Sequence, residues 1–418
     1  MKLRLILILS ILGLAEYYSL VVVRSALKNL PSVWRIGLTT LYVVLTIVSW
    51  LGFIFFRQIN WAAMPHLLRN IYISFVLGFV VGKILVMLVM LVDDIRRLVT
   101  WLITSLAYGG TTAATDAQPG GGIDRSEFLK RTALVMGGLS LLGFTYGITN
   151  RYKYRVRKVK LDLAGIPNGF KGMKIVQISD IHTGSFDNHS AVLHGIERVM
   201  DQNADMILFT GDLVNNHAHE VDSKYQEIFS RLKAPMGVYS TLGNHDYGDY
   251  VQWPTKEDKV ANLNTLKETH GKMGWRLLMN EHVVLERGGD KIALIGIENW
   301  SAKANFPKYG DLSKAYSGLN EKDISFKILM SHDPSHWHGQ VLTDYKDVNL
   351  TLSGHTHGMQ FGVDSKWLKW SPVQYMYNEW AGLYSQGDQH LYVNRGFGFL
   401  GYPGRLGVLP EITVFELV

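Results

Sequence analysis

The sequence predicts a region of about four membrane-spanning helices followed by a domain of the α/β class. Long segments with few or no charges occupy the first 150 residues, whereas short apolar runs that each end in a polar loop occupy the rest. The composition changes at the same point. Residues 1–150 hold 13 Lys/Arg and 6 Asp/Glu, residues 161–418 hold 23 and 30, and only one of the 15 histidines precedes residue 150.

Four segments are long and apolar enough to cross the ~30 Å hydrocarbon layer, which takes about 20 residues of helix. They lie near residues 3–23, 36–56, 71–92 and 132–148. Four such segments, most with Lys or Arg at their ends, favour membrane helices over buried core helices. A fifth stretch, Leu98–Ala107, is too short to span and is expected to lie at the interface or to extend the third helix.

Two charges interrupt these segments, Glu16 in the first and Lys83 in the third. A charge within a span is usually paired or faces a cavity. The alternative, which we favour for Glu16, is a position near a helix end or at the membrane interface.

The glycine-rich residues 109–122 predict a flexible linker before the fourth span. The stretch Arg125–Lys130 resembles a twin-arginine export signal in which Ser126 replaces the second arginine. An ordinary basic flank of a membrane helix explains these residues equally well, and Lys and Arg are divided too evenly between loops to fix the orientation. We expect a multi-pass membrane protein and favour an extracytoplasmic position for residues 151–418.

Composition narrows the possible partners and site types. The length of 418 residues suggests two or three domains. The absence of cysteine excludes disulfides, zinc–thiolate sites, iron–sulfur clusters and cysteine nucleophiles. No nucleic-acid partner is expected, because residues 161–418 are net acidic and phosphate backbones recruit basic surfaces. Six basic residues within 151–160 are instead placed to meet anionic lipid headgroups of the bilayer.

Beyond Lys174, five apolar runs of strand length each lead into a polar motif. The runs are 174–179, 206–210, 237–242, 326–331 and 348–353, and helical stretches at 191–202 and 256–270 separate some of them. Continuous apolar runs suit strands buried on both faces, and their alternation with helices predicts an α/β fold. In open sheets of this class, ligands gather beyond the carboxyl ends of the strands, where all five motifs lie.

The motifs combine carboxylate, amide and imidazole groups. In order they are Asp180-Ile-His182, Gly211-Asp212, Gly243-Asn244-His245-Asp246, His332 and Gly354-His355-Thr-His357. Oxygen and imidazole ligands suit Mn²⁺, Fe, Zn²⁺ or Mg²⁺ rather than a soft metal. Asp212 suits a carboxylate that bridges two metals, which in such sites lie about 3.5–4 Å apart.

In this order the motifs resemble those of the calcineurin-like metallophosphoesterases, over roughly residues 170–418. The resemblance implies a four-layer αββα sandwich within residues 151–418 that binds two divalent metal ions of unknown identity. One metal is then expected at Asp180, His182, Asp212 and His357, and the other at Asp212, Asn244, His332 and His355. The resemblance further implies catalysis by His245, oriented by Asp246.

The implied reaction is hydrolysis of a phosphodiester or pyrophosphate by in-line attack of a metal-bridging hydroxide. Among family branches, the chain most resembles one with membrane segments before the domain and tail motifs like Arg395-Gly-Phe-Gly398 and Pro410-Glu-Ile412. Some members of that branch cleave UDP-2,3-diacylglucosamine, so we expect a lipid-linked phosphoester substrate such as this one. Two alternatives stay open: an exported phosphodiesterase of soluble esters, and a membrane sensor or scaffold with a non-catalytic domain.

Three further features lie outside the motifs. Arg395 and Arg405 are predicted to contact a substrate phosphate, although an ordinary surface arginine explains each equally well. An aromatic-rich stretch predicts either a contact with lipid or a loop packed into the core, and it contains Trp367, Trp370, Tyr375, Tyr377 and Trp380. Gly358-Met359-Gln360 stands where the family usually has a second glycine, and we expect this difference to reshape the rim of the site.

Overall fold

The computed structural model describes residues 2–55, 58–59, 61, 64–107, 125–303, 306–319 and 324–418. The predicted linker at residues 109–122 lies outside this part of the chain. The protein divides into two compact units, Met1–Tyr146 and Gly147–Val418.

Within the described residues of the first unit, all regular secondary structure is helical. Its helices are α1 (Lys2–Leu27), α2 (Ser32–Ile54), α3 (His66–Ala107) and α4 (Arg125–Gly147, which ends at the unit boundary). All four are long and apolar enough to cross a membrane, which confirms the predicted helical region. Leu98–Ala107 continues α3, so the fifth apolar stretch extends the third helix rather than forming a separate element.

Glu16 and Lys83 form an ion pair between α1 and α3. The ammonium of Lys83 lies 2.7 Å from Glu16 Oε1 and donates to Thr46 Oγ1 of α2 at 2.9 Å. Trp50 Nε1 donates to the same carboxylate at 3.0 Å. The expectation that Glu16 lies near a helix end is therefore wrong. It lies in the middle of α1, where an unpaired charge is costly in lipid and a partner offsets that cost.

In the part of the second unit that the structure describes, there are two six-stranded sheets and five α-helices. The strands of the first sheet are β1 (Arg155–Leu161), β2 (Lys174–Ile178), β3 (Met206–Phe209), β4 (Val238–Ser240), β5 (Arg276–Leu277) and β14 (Glu411–Leu417). Those of the second are β6 (Glu281–Arg287), β7 (Asp290–Gly296), β8 (Lys327–Met330), β9 (Leu350–Ser353), β12 (Gly382–Gln386) and β13 (Gln389–Val393). The helices are α5 (His189–Met200), α6 (Ser223–Phe229), α7 (Lys256–Lys272), α8 (Leu312–Tyr316) and α9 (Leu342–Asp344).

Parallel pairing dominates the centre of both sheets. The first sheet has the order β1-β14-β2-β3-β4-β5, in which β14 and β2 are antiparallel and β2 to β5 are parallel. The second has the order β12-β13-β9-β8-β7-β6, in which β13, β9, β8 and β7 are parallel. A separate two-stranded ribbon joins β10 (Val363–Asp364) to β11 (Lys369–Trp370).

Alternate residues of the central strands enter different hydrophobic layers, as the period of two in a strand requires. Ile175 and Leu208 of the first sheet pack with Leu294 and Ile328 of the second, so the two sheets face each other. On the opposite face of the first sheet, Val176 and Ile207 pack with residues of α5, α6 and α7. On the opposite face of the second, Ile295 and Leu329 pack with residues of α8 and the turn at Trp337. The layers confirm the predicted αββα sandwich.

Candidate metal centre

The five polar motifs lie directly after five strands. Asp180, Asp212 and Asn244 follow β2, β3 and β4 of the first sheet, and the motifs at His332 and His355 follow β8 and β9 of the second. Because these strands are parallel within each sheet, their carboxyl ends share one edge. The loops that leave both sheets converge there, as the motif positions predict.

Four of the predicted ligands meet in a first group. His182 Nε2 lies 3.0 Å from His357 Nε2 and 3.5 Å from Asp212 Oδ2. His357 Nε2 lies 3.2 Å from Asp180 Oδ1. Asp180, His182 and His357 offer ligand atoms that all lie within 4.8 Å of one another.

The remaining predicted ligands meet Asp212 in a second group. His332 Nε2 lies 3.1 Å from Asp212 Oδ2, and the ligand atoms of Asp212, His332 and His355 all lie within 4.8 Å of one another. His355 Nδ1 lies 2.7 Å from Asn244 Oδ1. Asp212 Oδ2 is thus near an imidazole nitrogen of each group, which is the position expected of a bridging carboxylate.

The donor atoms of these groups fit a metal ion. His332 Nδ1 lies 2.7 Å from the carbonyl of Thr210, which can only accept, so Nδ1 carries a proton and Nε2 is the nitrogen directed at Asp212. His332 Nε2 and His182 Nδ1 are buried and make no hydrogen bond. Buried imidazole nitrogens without hydrogen bonds are rare unless an ion or water completes them.

Electrostatics at the bridge favour a cation. Burial raises the pKa of Asp212, but the neighbouring His332 reverses this effect and holds the pKa well below its usual range. Burial also opposes protonation of His332, yet the charge of Asp212 raises its pKa above the ordinary value. The buried carboxylate of Asp212 thus stays ionised and attracts positive charge, which a divalent ion would also supply.

Most of the predicted ligands have unusual backbone conformations. Positive φ values between 51° and 71° occur at Asp180, His182, Asp212, His355 and His357. Non-glycine residues in this region cost about 1–3 kcal/mol each and cluster at functional sites. The left-handed turns direct successive side chains of each motif toward the centre.

Two glycines of the motifs lie so close to these ligands that a larger residue would not fit. A Cβ added to Gly243 would clash with Asp212 Oδ1, and one added to Gly354 would clash with Asp180 Oδ2. The glycines let the loops after β4 and β9 pass against the carboxylates.

His245 is held by a backbone carbonyl rather than by Asp246. Its Nδ1 donates to the carbonyl of Asn215 at 2.8 Å, and its ring lies 5.0 Å from that of His182. The carboxylate of Asp246 instead accepts four backbone N–H groups, those of Asp212, Leu213, Val214 and Gly243. The expectation that Asp246 orients the His245 ring is therefore wrong. Asp246 ties together the loops that carry Asp212 and His245.

Glu220 supports the carbonyl that holds His245. Its carboxylate accepts the successive backbone N–H groups of Asn215, Asn216 and His217, at 2.5, 3.0 and 3.0 Å. Sequence reasoning did not find this residue, because a contact through backbone atoms leaves no residue-type signal at the partner.

The two tail arginines lie beneath the surface of the domain. Arg395 donates to Glu411 Oε2 at 2.6 Å and to Asp364 Oδ1 at 3.2 Å. Arg405 is fully buried, donates to the carbonyls of Arg395 and Gly398, and has Nη2 3.3 Å from His357 Nδ1. Their guanidinium groups are thus engaged by the protein itself. The predicted contact with a substrate phosphate finds no support in these contacts.

Asp333, Tyr377 and Tyr250 contact members of the second group and were not predicted as site residues. The hydroxyl of Tyr377 lies 2.9 Å from His355 Nε2 and donates to Asp333 Oδ2 at 3.3 Å. Tyr250 accepts from Asn244 Nδ2 at 2.9 Å, which leaves Asn244 Oδ1 directed toward His355. The position of Asp333 next to His332 is a usable signal in the sequence, whereas neither tyrosine belongs to a motif.

Comparison with protein families accounts for both units. The family model described as "Calcineurin-like phosphoesterase" matches residues 173–359, and the model described as "Probable Calcineurin-like phosphoesterase, transmembrane domain" matches residues 3–151. The metallophosphoesterase YkuE of Bacillus subtilis is 33% identical over 306 residues, which cover 71% of this chain and 98% of that protein. The chain is a calcineurin-like metallophosphoesterase.

Two other relatives of this metallophosphoesterase have names that describe a membrane location or an activity. The transmembrane protein with metallophosphoesterase domain of Danio rerio is 29% identical, over 64% of this chain and 58% of that protein. The UDP-2,3-diacylglucosamine pyrophosphatase LpxG of Chlamydia muridarum is 29% identical, over 54% of this chain and 78% of that protein. The metallophosphoesterase is therefore a phosphoester hydrolase with transmembrane relatives.

Proposed function

We propose that this metallophosphoesterase uses two divalent metal ions to hydrolyse a phosphodiester or pyrophosphate bond of a lipid-linked substrate. The observation that carries the proposal is the convergence of the seven predicted ligands in two adjoining groups, with Asp212 between the imidazoles of both. Asp180, His182, Asp212 and His357 would hold one metal, and Asp212, Asn244, His332 and His355 the other. When bound, such a pair of metals activates water and neutralises charge on the transferring phosphoryl group.

The protein's own groups supply positioning and proton transfer. With its Nδ1 proton donated to the Asn215 carbonyl, His245 is left with Nε2 for the substrate. That nitrogen would protonate the departing oxygen or steady the phosphoryl group. The Asp246 carboxylate would keep the loops of Asp212 and His245 in register through its four backbone contacts.

A lipid-linked substrate is supported by two independent features. Within the described residues, four helices are apolar enough to cross a membrane, and a membrane-anchored enzyme meets lipid substrates at a high effective concentration. One relative is named for cleavage of the pyrophosphate of a diacylated nucleotide sugar. Both features favour a lipid over a soluble ester without fixing the headgroup.

Removal of metal should abolish hydrolysis. We expect dialysis against a chelator to reduce turnover of bis(p-nitrophenyl) phosphate to background, because the water nucleophile is weak without a metal to lower its pKa. Addition of Mn²⁺ should restore turnover, and elemental analysis should then find two ions per chain. Full activity of metal-free protein would contradict the assignment.

We propose further that the catalytic domain is extracytoplasmic. A reporter fused after Val418 tests this placement, since alkaline phosphatase is active only outside the cytoplasm and green fluorescent protein only inside it. We expect phosphatase activity. A fluorescent fusion would contradict the placement and favour a nucleotide-linked lipid, because nucleotide sugars are made in the cytoplasm.

A further inference from the structure

A projecting ribbon leaves the metal centre and returns to it. The segment 359–376 contains β10 and β11, and we call it the rim ribbon. It begins two residues after His357 and ends immediately before Tyr377, whose hydroxyl contacts His355. Both ends of the rim ribbon are therefore fixed at the candidate site.

The rim ribbon exposes large apolar side chains that a soluble domain usually buries. Trp367 is 90% exposed and Tyr375 78% exposed. Other large apolar residues of the segment are more than a third exposed, namely Met359, Val363, Leu368 and Met376. The aromatic stretch noted in the sequence is thus divided, because Tyr377 and Trp380 pack into the domain whereas Trp367 and Tyr375 face outward.

The base of the ribbon is firmly held, so its tip projects in a defined conformation. Asp364 of β10 pairs with Arg395, and also with Arg157 of the edge strand β1. At the tip, Ser365 Oγ accepts the backbone N–H of Leu368 at 3.0 Å, and Ser365 N–H donates to the Leu368 carbonyl at 3.0 Å. A tight turn therefore presents Trp367 and Leu368 to the surroundings.

The backbone of Met359, at the start of the rim ribbon, has an unusual conformation. This residue has φ of 53°, in the left-handed region, and its side chain is 52% exposed. A side chain in the left-handed region carries an energetic cost that glycine avoids. A residue that bears this cost and buries little of its side chain is better explained by an external contact than by packing.

We propose that the rim ribbon inserts into the interface of the lipid bilayer and places the metal centre at headgroup level. The proposal rests on the proposed lipid-linked substrate and names the surface that meets it. Trp and Tyr are the side chains enriched at membrane interfaces, and Lys366, which lies 5.4 Å over the Trp367 ring, suits anionic headgroups. A narrow turn is poorly suited to a protein partner, since a stable protein interface covers about 800 Å² on each side.

The chain that carries the ribbon is also bound to a bilayer by its helices. Residues 148–154 connect α4 to β1, so a short stretch of chain tethers the domain to a helix apolar enough to span. A membrane is thus the partner that is present at high local concentration wherever this domain is found.

The absence of cysteine permits a direct test. Trp367→Cys in the full chain, labelled with an environment-sensitive nitrobenzoxadiazole dye, is reconstituted into vesicles of equal parts phosphatidylcholine and phosphatidylglycerol. We expect blue-shifted emission, quenching by spin-labelled lipid and protection from dithionite. Val284→Cys is the matched control, because Val284 is an exposed apolar residue on the edge strand β6. Its label should stay in a water-like environment.

The outcomes separate this proposal from the proposed function. Insertion is overturned if the label at position 367 keeps the emission it has in water and is reduced by dithionite. It is also overturned if the spectral change depends on the protein density in the vesicles and not on the lipid. Hydrolysis of bis(p-nitrophenyl) phosphate is measured on the same samples. If the chain without substitutions fails to hydrolyse this ester, the phosphodiesterase assignment is contradicted. The labelling result still decides whether the rim ribbon contacts the membrane.

Discussion

Asp212→Asn is expected to lower phosphodiester turnover by at least about 10³-fold, more than the loss of one transition-state hydrogen bond costs in other enzymes. Oδ2 of Asp212 lies 3.1 Å from His332 Nε2 and 3.5 Å from His182 Nε2, so it is close to imidazoles of both groups. An amide at this position removes the negative charge that two cations would share. Turnover of bis(p-nitrophenyl) phosphate and the metal content per chain measure the effect.

Asp205→Asn provides the matched control for this substitution. Asp205 precedes β3 and Asp212 follows it, so the two carboxylates lie at opposite ends of the same strand. Asp205 Oδ2 accepts the backbone N–H of Lys174 at 2.8 Å, a contact that an amide oxygen also makes. The control should retain both activity and metal. Two bound metals with normal turnover in Asp212→Asn would exclude Asp212 as the bridge.

The local features of this fold and site were predictable from sequence because their causes are local. An apolar run followed by a polar motif fixes both a buried strand and the position of its ligand, as with β3 and Asp212. Sheet order could not be predicted in the same way. Strand β14 inserts between β1 and β2, although it follows β2 by more than two hundred residues, and no local pattern encodes that pairing.

The errors at the site have a common physical origin. Arg395 was predicted to bind substrate because of its residue type, but its ion pairs are with Glu411 and Asp364, which tertiary folding brings beside it. The family resemblance implied that Asp246 orients His245. The structure gives the ring a backbone acceptor instead, and any residue type can supply a carbonyl. The types of residue in a motif predict the candidate metal ligands well. The groups that orient those ligands come from distant parts of the chain and depend on the tertiary structure.

His245→Ala is expected to lower turnover by about 10²–10⁴-fold, the range typical of a lost general acid or base. The candidate metal ligands are untouched by this change, so we expect the metal content to stay at that of the unmodified protein. His194→Ala serves as the control, because His194 is an exposed histidine on α5. Normal turnover in His245→Ala would exclude a role in proton transfer.

The leaving group distinguishes proton donation from a merely structural role of His245. An ester that releases p-nitrophenolate needs little protonation, whereas one that releases an alkoxide needs a proton from the enzyme. The loss in His245→Ala should therefore be larger for the alkyl ester, and equal losses would contradict proton donation. Because Glu220 holds the loop whose Asn215 carbonyl orients the ring, Glu220→Ala should show the same dependence on leaving group with a smaller loss. Glu220→Gln keeps one carbonyl oxygen as an acceptor and should recover part of the activity.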